Sequence, residues 1–230
     1  MNKGRHERKL NTAVDIGCGS GSYVEPVQAR CRTYIAGDLS WGMVQALPQP
    51  NLPRLNLDAQ RIPLAASSVD VVLANHMLYH VPDKDAALRQ IKRVLRPGGR
   101  LIAATNSSSN MTELFNLRRQ AMQQLDIPID PVLEKSPVAD LFSLENGRSL
   151  LQNHFRHVQR HDLASALVFP GPQPVLDYIA STRDWLTTFL PPHVTWEALY
   201  NQIQTLLTTH FTSHDEFRVN KLGGVFICTP

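Results

Sequence analysis

The segment Val14-Asp15-Ile16-Gly17-Cys18-Gly19-Ser20-Gly21-Ser22 joins an apolar run to glycines at every second position. It predicts a strand, a tight turn and the start of a helix. Glycine lets the backbone adopt a positive φ and approach a ligand closely, and a helix begins with unpaired N–H groups at the positive end of its dipole. The segment therefore predicts a binding site for an anionic or nucleoside-bearing ligand.

The spacing of these glycines distinguishes two classes of ligand. The dinucleotide fingerprint G-x-G-x-x-G/A needs a third glycine or alanine at position 22, where this sequence has Ser22. The sequence instead has G-x-G-x-G, with Asp15 two residues before the first glycine. This spacing argues against a nicotinamide-dependent oxidoreductase. From this motif alone, an ordinary glycine-rich turn without a ligand stays open.

Length and charge limit the class of protein. A chain of 230 residues fits one α/β domain and can bury a core without metals or disulfides. The net charge is +3, and the lysines and arginines are scattered except for the group at Lys3–Lys9, which we interpret as a solvated terminus. Nucleic-acid binding needs a larger basic face. We therefore expect no nucleic-acid partner.

The cysteines and the hydropathy pattern indicate the compartment. Cys18, Cys31 and Cys228 have neither the paired spacing nor the companion histidines of a zinc site, so they predict reduced thiols and no metal. No apolar run reaches the roughly 18 residues that cross a bilayer, and no apolar segment of a signal peptide follows the basic start. We expect a cytoplasmic protein without a membrane partner.

The first half of the chain alternates between strand and helix patterns. Apolar runs predict strands at 11–16, 33–38, 52–57, 68–75 and 100–105. Helical spacing predicts helices at 22–30, 41–44 and 83–95. Such alternation implies right-handed crossovers and a doubly wound, mostly parallel sheet of the α/β class.

Polar residues follow three of these strands. Asp38 ends the second strand about 20 residues beyond Gly17, where an acidic side chain binds ribose hydroxyls in folds of this kind. Asp58 directly follows the third strand, and its carboxylate can accept a hydrogen bond from an exocyclic amine. The fourth strand ends in the polar and aromatic segment Asn75–Asp83. This pattern predicts a ligand crevice at the carboxyl ends of the strands.

The pattern changes after Asn106. Helical spacing predicts helices at 111–125, 144–155, 172–190 and 196–210, the first capped by 107–110 and the second by Ser143. A loop rich in proline and acidic residues is expected at 126–137. Residues 157–163 predict an edge strand, and 216–219 with 224–229 predict a terminal hairpin or a bulged strand.

Six ordered segments together resemble the motifs of the class I S-adenosylmethionine-dependent methyltransferases, particularly the small-molecule branch of ubiquinone and natural-product biosynthesis. They are Asp15 with Gly17, Gly19 and Gly21; Gly37–Ser40 with Met43; Asp58 and Ala59 with Ile62 and Pro63; Val69–Val72; His80–Asp83; and Arg93–Gly99. The resemblance covers roughly residues 12–106. It implies a Rossmann-like, seven-stranded sheet with helical insertions, in which Val225–Thr229 inserts antiparallel beside the fifth strand.

The resemblance also implies a cofactor site. It assigns Asp38 to the ribose hydroxyls of S-adenosylmethionine, Asp58 to the adenine amine, and the turn Gly17–Gly21 to the methionine portion. Asn75 would offer its backbone carbonyl to the methionine ammonium. The other implied cofactor residues are Asp15, Leu39, Met43 and Ala59. S-adenosylhomocysteine would be the product.

We expect one methyltransferase domain over residues 1–230. Within it, 12–106 would form the cofactor-binding core, 107–212 a helical substrate-side region, and 213–230 the C-terminal strands. Members of the resembled branch usually carry some tens of residues before the first motif, whereas thirteen residues precede Val14 here. This short lead predicts a more exposed cofactor than is usual in the branch.

The implied reaction is methyl transfer to an oxygen, nitrogen or carbon atom of a small molecule by direct in-line displacement. Such displacement needs an aligned acceptor and the exclusion of water. A base helps when the acceptor is a hydroxyl or an acidic carbon, and histidine titrates near neutrality. His80 is the first candidate base and His76 the second. Two alternatives stay open. His80 caps the helix that follows it or lines the wall of the cofactor site, and the protein binds the cofactor without catalysing a reaction.

Overall fold

The computed structural model describes residues 10–130 and 140–230. The basic group Lys3–Lys9 and the part of the expected 126–137 loop from Pro131 onward lie outside the described residues. Within the described ranges, no helix combines the length and the apolar composition needed to cross a membrane.

Seven strands form one sheet in the order β3-β2-β1-β4-β5-β7-β6. They are β1 Leu10–Ile16, β2 Cys31–Asp38, β3 Arg54–Asn56, β4 Val69–Asn75, β5 Leu95–Asn106, β6 His157–Phe169 and β7 Phe217–Thr229. The strands β1 to β5 pair in parallel, and the C-terminal strands are antiparallel. The predicted mostly parallel, seven-stranded α/β fold is therefore confirmed, with β7 beside β5.

The apolar runs become central strands because both faces of the sheet are covered. In β4, all residues except Asp70 and Asn75 are buried, and the last four residues of β1 are buried as well. Val14 pairs with Ile35 of β2 on one side and with Val72 of β4 on the other. Strand order reverses at β1, because β2 lies on one side of it and β4 on the other. Such a reversal opens a crevice at the carboxyl ends of the strands.

Eight helices accompany these strands in the described residues. They are α1 Val24–Gln28, α2 Trp41–Gln45, α3 Lys84–Val94, α4 Thr112–Gln124, α5 Gly147–Gln152, α6 Pro172–Ala180, α7 Arg183–Thr187 and α8 Trp196–Phe211. The N-cap of α3 is Asp83, whose carboxylate accepts a hydrogen bond from the Ala86 amide at 2.8 Å. The helix predicted at 83–95 is confirmed, because α3 begins and ends within one residue of these bounds.

Two predicted helices were wrong in their extent. The helix expected over 144–155 begins only at Gly147, because the Asn146 side chain accepts a hydrogen bond from the Ser143 amide and forms a turn instead. The helix expected over 172–190 is divided into α6 and α7. At the break, the hydroxyls of Ser181 and Thr182 donate to the carbonyls of Tyr178 and Ile179.

The predicted cap of α4 differs from the structure, and the structure decides between the two alternatives predicted for the C-terminal strands. The N-cap of α4 is Met111, at φ 64°, and the Asn110 side chain instead accepts a hydrogen bond from the Leu222 amide. Of the two alternatives predicted for 216–229, the structure has a single strand, β7, and no hairpin in these described residues. Glycine is needed at position 224 because the strand passes close to its neighbour there: an added Cβ would lie 2.8 Å from the carbonyl oxygen of His161.

The described residues divide into two compact units. Unit 1 comprises the residues up to Thr105 with Leu141–Asp162 and Gly224–Pro230, and unit 2 comprises the described parts of Asn106–Asp140 and Leu163–Gly223. One core cluster of unit 1 packs Val24 and Val44 of the short helices against Tyr34 and Val71 of the sheet. Unit 2 packs α4, α6, α7 and α8 around a core that includes Met122, Leu176 and Leu199.

Candidate functional site

A crevice of about 540 Å³ lies in unit 1, at the carboxyl ends of the strands on both sides of the reversal at β1. Its volume lies within the range of roughly 300–1,000 Å³ that is typical of small-molecule sites. It is lined by Ile16, Gly17, Asp38, Leu39, Ser40, Leu57, Asp58, Ala59, Gln60, His76, Met77, His80, Val81 and Pro82.

The glycine turn after β1 borders this crevice. Gly17, Gly19 and Gly21 have φ angles of 71°, 51° and 85°, in the left-handed region that glycine adopts without strain. A Cβ at Gly17 would lie 2.6 Å from Cβ of Met77, whereas one at Gly19 would meet nothing within 4 Å. Glycine is thus required by packing at position 17. At position 19 it leaves open space beside the backbone.

The carboxylate of Asp38 is held in place by two backbone amides. Its Oδ2 accepts a hydrogen bond from the Gly19 amide at 2.9 Å, and its Oδ1 accepts one from the Ser40 amide at 2.9 Å. Each carboxylate oxygen still has a lone pair for a further donor. Asp38 therefore presents an oriented, negatively charged pair of acceptors to the crevice.

A second carboxylate, Asp58, is oriented by its neighbour Gln60. The backbone amide of Gln60 donates to Oδ1 of Asp58 at 2.8 Å, and the side-chain nitrogen of Gln60 lies 3.1 Å from the same oxygen. The side-chain oxygen of Gln60 accepts from the Asp83 amide at 3.2 Å. Gln60 thus connects Asp58 to the start of α3. The sequence analysis missed Gln60, although an Asp two residues before a polar residue is typical of such a turn.

The remaining wall of the crevice is largely apolar. Leu39, which is 73% exposed, lines this wall together with Leu57 and Ala59. An apolar wall next to two oriented carboxylates suits a ligand that combines a planar ring with hydroxyl groups. Besides Gln60, the lining residues that the sequence analysis did not assign are Ile16, Ser40, Leu57, Met77, Val81 and Pro82.

Both candidate histidines line the crevice, and both are exposed. His76 directly follows β4 with φ 53°, and its amide donates to the Ala104 carbonyl at 2.9 Å. His80 ends a 3₁₀ turn, and its ring lies 4.5 Å from that of Tyr79, centroid to centroid. The structure therefore brings both histidines to the same crevice as Asp38 and Asp58.

Five of the predicted cofactor residues do not line the crevice: Asp15, Gly19, Gly21, Met43 and Asn75. Gly19 is linked to it through its hydrogen bond to Asp38. Gly21 packs beneath the turn, where an added Cβ would lie 2.5 Å from the Leu47 side chain. Asn75 is the last residue of β4, and Met43 is half-exposed on α2.

Asp15 is a buried carboxylate beneath the glycine turn, with an exposed fraction of 1%. The Tyr34 hydroxyl donates to its Oδ2 at 2.6 Å, while its Oδ1 has no hydrogen-bond partner among the described residues. Burial raises the pKa of Asp15 to about 6, although the Tyr34 hydrogen bond opposes the shift and the nearby charge of Asp38 adds to it.

The raised pKa of Asp15 predicts a pH dependence of stability. Between about pH 4 and pH 6, the folded protein keeps a proton that the unfolded chain releases, so the free energy of unfolding falls as the pH rises through this window. Asp15→Asn cannot take up this proton. The unfolding free energy at acidic pH minus that at neutral pH should therefore be smaller than in the wild type by about 3 kcal/mol, because about 1.4 kcal/mol accompanies each pKa unit. Urea unfolding at a series of pH values measures this.

Tyr34→Phe is the matched comparison for Asp15→Asn. It removes the hydrogen bond that lowers the pKa of Asp15, so the upper end of the window should move to higher pH. Identical pH profiles for the wild type and Asp15→Asn would show that Asp15 does not titrate in this range.

Among the described residues, no group of three or more histidine, cysteine, aspartate or glutamate side chains is arranged to hold a metal ion. The chemistry that these residues offer consists of oriented carboxylates, two imidazoles and an apolar wall.

Known proteins are similar in sequence to the part of the chain that forms the crevice. Residues 14–103 match the family model described as a methyltransferase domain. The malonyl-[acyl-carrier protein] O-methyltransferase of Yersinia pestis is 31% identical over 159 residues, which are 68% of this chain and 54% of that protein. The demethylmenaquinone methyltransferase of Mycobacterium sp. (strain KMS) is 28% identical over 136 residues, 59% of each protein. The chain thus spans between half and two thirds of these relatives.

A similar fold occurs in a solved structure of phosphoethanolamine N-methyltransferase 2 from Haemonchus contortus, in complex with phosphomonomethylethanolamine and S-adenosylhomocysteine. The TM-score is 0.54 at 15% identity, and the similarity covers 97% of this chain and 49% of that one. At this identity, the comparison establishes the fold alone.

Proposed function

We propose that the protein is a class I methyltransferase that transfers a methyl group from S-adenosylmethionine to a small molecule, because residues 14–103 match a methyltransferase domain. The observation that carries the proposal is the oriented carboxylate of Asp38, held by the Gly19 and Ser40 amides at the edge of the crevice. A carboxylate in this position can accept hydrogen bonds from both hydroxyls of a ribose.

The charge of the crevice favours this ligand over a dinucleotide. The described lining residues include two carboxylates, Asp38 and Asp58, and no lysine or arginine. S-adenosylmethionine carries a positively charged sulfonium and no phosphate, whereas a nicotinamide dinucleotide carries an anionic pyrophosphate. An acidic lining stabilises the first ligand and repels the second.

Each part of the crevice has a proposed role. Asp38 binds the ribose hydroxyls, Asp58 accepts from the adenine amine, and Leu39 covers the adenine ring. The open space beside Gly19 leaves room for the backbone to approach the methionine portion. Asp15 supports the turn from beneath. Bound S-adenosylmethionine would supply an activated methyl group, so the protein needs no covalent nucleophile.

We further propose that His80 removes a proton when the acceptor is a hydroxyl or an acidic carbon. His80 is exposed, lines the crevice and ends the 3₁₀ turn that follows β4. His76 lines the same crevice and is the second candidate.

Calorimetry with S-adenosylmethionine, S-adenosylhomocysteine and NAD tests the cofactor assignment. We expect both sulfur ligands to bind and NAD to show no heat of binding. Labelled S-adenosylmethionine, incubated with the protein and small-molecule extract from the source cells, then tests methyl transfer. Binding without transfer would support the alternative of a cofactor-binding protein without catalysis, and tighter binding of NAD would contradict the methyltransferase assignment.

The glycine turn provides a prediction with a closely matched control. Gly19 and Gly98 both have positive φ, at 51° and 79°, and an added Cβ meets nothing within 4 Å at either position. Alanine should therefore lower the unfolding free energy by a similar amount at both, roughly 1–2 kcal/mol. Only Gly19→Ala should weaken S-adenosylmethionine binding, since the Gly19 amide donates to Asp38 of the crevice lining, whereas Gly98 lies within β5 and outside that lining. Equal affinities of the two variants would exclude a close approach of the ligand to Gly19.

A further inference from the structure

A second pocket, of about 300 Å³, lies entirely within unit 2. It is lined by Asn110, Met111, Leu114, Phe115, Arg118, Tyr178, Ile179, Thr182 and Trp185. These residues come from α4, α6 and α7 and the segments beside them. The volume is at the lower end of the range that is typical of small-molecule sites. We call it the Arg118 pocket.

Arg118 is the only charged residue that lines this pocket among the described residues, and it is buried, with an exposed fraction of 8%. Its Nε is buried and has no hydrogen-bond partner in the described part of the chain. The guanidinium carbon instead lies over two aromatic rings, 4.7 Å from the Phe115 centroid and 5.7 Å from the Trp185 centroid.

A buried guanidinium without a carboxylate is unusual because burial of an unpaired charge is unfavourable. Burial lowers the pKa of Arg118 from its ordinary value, but an arginine side chain stays charged near neutral pH. Cation–π contacts contribute only about 0.5–2 kcal/mol each, so the two rings offset part of the cost. The guanidinium can therefore still donate hydrogen bonds to an anion.

Two acidic side chains on the helices that form this pocket have other partners. Glu113 of α4 accepts hydrogen bonds from the backbone and side chain of Asn220. Asp177 of α6 accepts one from the Gln173 side chain at 2.8 Å. Neither carboxylate lines the pocket. Among the described residues, no carboxylate lines the pocket beside Arg118, which leaves the guanidinium to donate to an anionic ligand.

The lining determines which anion fits. One guanidinium matches the single charge of a carboxylate, and its planar fork can bind both carboxylate oxygens at once. A phosphate monoester has a charge of about −1.5 to −2 at neutral pH and would leave charge uncompensated. The apolar side chains of Met111, Leu114 and Ile179 provide a wall for a hydrocarbon or ring.

We propose that the Arg118 pocket binds a small organic carboxylate, with the carboxylate on the Arg118 guanidinium and the apolar part against Met111, Leu114 and Ile179. The Thr182 hydroxyl donates to the Ile179 carbonyl at 2.7 Å, so its oxygen is available only as an acceptor. Arg118 is the only charged donor among the described residues that line the pocket. The site needs only unit 2 residues and does not depend on methyl transfer.

A ligand comparison in the wild-type protein tests the charge requirement. The probes are 3-phenylpropionate and its uncharged amide, 3-phenylpropanamide, with inorganic phosphate as the third ligand. Calorimetry without S-adenosylmethionine should give at least tenfold tighter binding for the carboxylate than for the amide. The Trp185 indole lies beside the guanidinium, so its fluorescence should change on binding. Equal affinities for carboxylate and amide, or tighter binding of phosphate than of 3-phenylpropionate, would overturn the proposal.

Variants assign the binding to Arg118. Arg118→Met keeps an unbranched stem without the charge, and we expect at least a tenfold loss of 3-phenylpropionate affinity. The matched control is Arg119→Met, because Arg119 is the next residue of α4 and is exposed. It should bind as the wild type does. Unchanged affinity in a folded Arg118→Met, or an equal loss in Arg119→Met, would contradict the assignment. The wild-type comparison decides the question if Arg118→Met does not fold.

Discussion

The Asp38→Ala variant is expected to bind S-adenosylmethionine about a hundredfold or more weakly than the wild type. Two charge-assisted hydrogen bonds to the ribose would be lost, at roughly 1.5–3 kcal/mol each, and each 1.4 kcal/mol corresponds to a tenfold change in affinity. The variant also leaves the Gly19 and Ser40 amides without their acceptor, so the turn itself becomes less fixed. Calorimetric titration measures the loss directly.

Two comparison variants separate the ribose contact from a general effect of charge. Asp38→Asn keeps one oxygen acceptor and the size of the side chain, so its affinity should lie between those of the wild type and Asp38→Ala. Glu25→Gln removes an acidic side chain in the first turn of α1, outside the crevice lining, and should leave affinity unchanged. Wild-type affinity in Asp38→Ala would rule out the ribose assignment.

His80→Ala is expected to lower turnover by about 10² to 10⁴-fold for a hydroxyl or carbon-acid acceptor, the usual contribution of a general base. Affinity for S-adenosylmethionine should change by no more than roughly a few-fold, because the proposed cofactor contacts are made by other residues. Initial rates at saturating cofactor, together with calorimetry on the same preparations, give both quantities. His80→Gln should be as slow as His80→Ala, since glutamine retains polarity but not basicity.

His76→Ala and His193→Ala complete this comparison. His76 lines the same crevice, so a loss in His76→Ala that exceeds the loss in His80→Ala would reassign the base. His193 is exposed and lies in unit 2, so His193→Ala should retain full turnover. A His80→Ala variant that loses cofactor binding instead of turnover would identify His80 as a wall residue. Full turnover of His80→Ala from about pH 6 to 9 would show that positioning of the acceptor alone suffices for methyl transfer.

The central strands could be predicted because their signal is local. A strand buried on both faces needs a continuous apolar run, and β4 was predicted within one residue of its observed start at Val69. The N-cap at Asp83 could be predicted for the same reason, because its carboxylate accepts a hydrogen bond from an amide only three residues away. By contrast, Asn146 and Ser181 end or delay helices through single side-chain hydrogen bonds that helical spacing does not reveal.

The candidate cofactor site was partly predictable for the same reason. Asp38 and Asp58 follow strands that the sequence identifies, and parallel strands bring their carboxyl ends to one edge, so both residues reach the crevice. Gln60 and Met77 were missed. Gln60 acts through a hydrogen bond to the Asp83 amide, far along the chain, and Met77 is placed by its contact with Gly17.

The sequence by itself determined the alternation of strands and helices, the glycine turn and the two carboxylates, because each depends on neighbouring residues and on the period of the backbone. Only the tertiary structure decided that Asp15 is buried with a raised pKa, and that the Arg118 guanidinium lies over the rings of Phe115 and Trp185 with no carboxylate beside it in the described ranges. Burial and charge pairing depend on residues from distant parts of the chain, which become neighbours only when the helices and strands pack together.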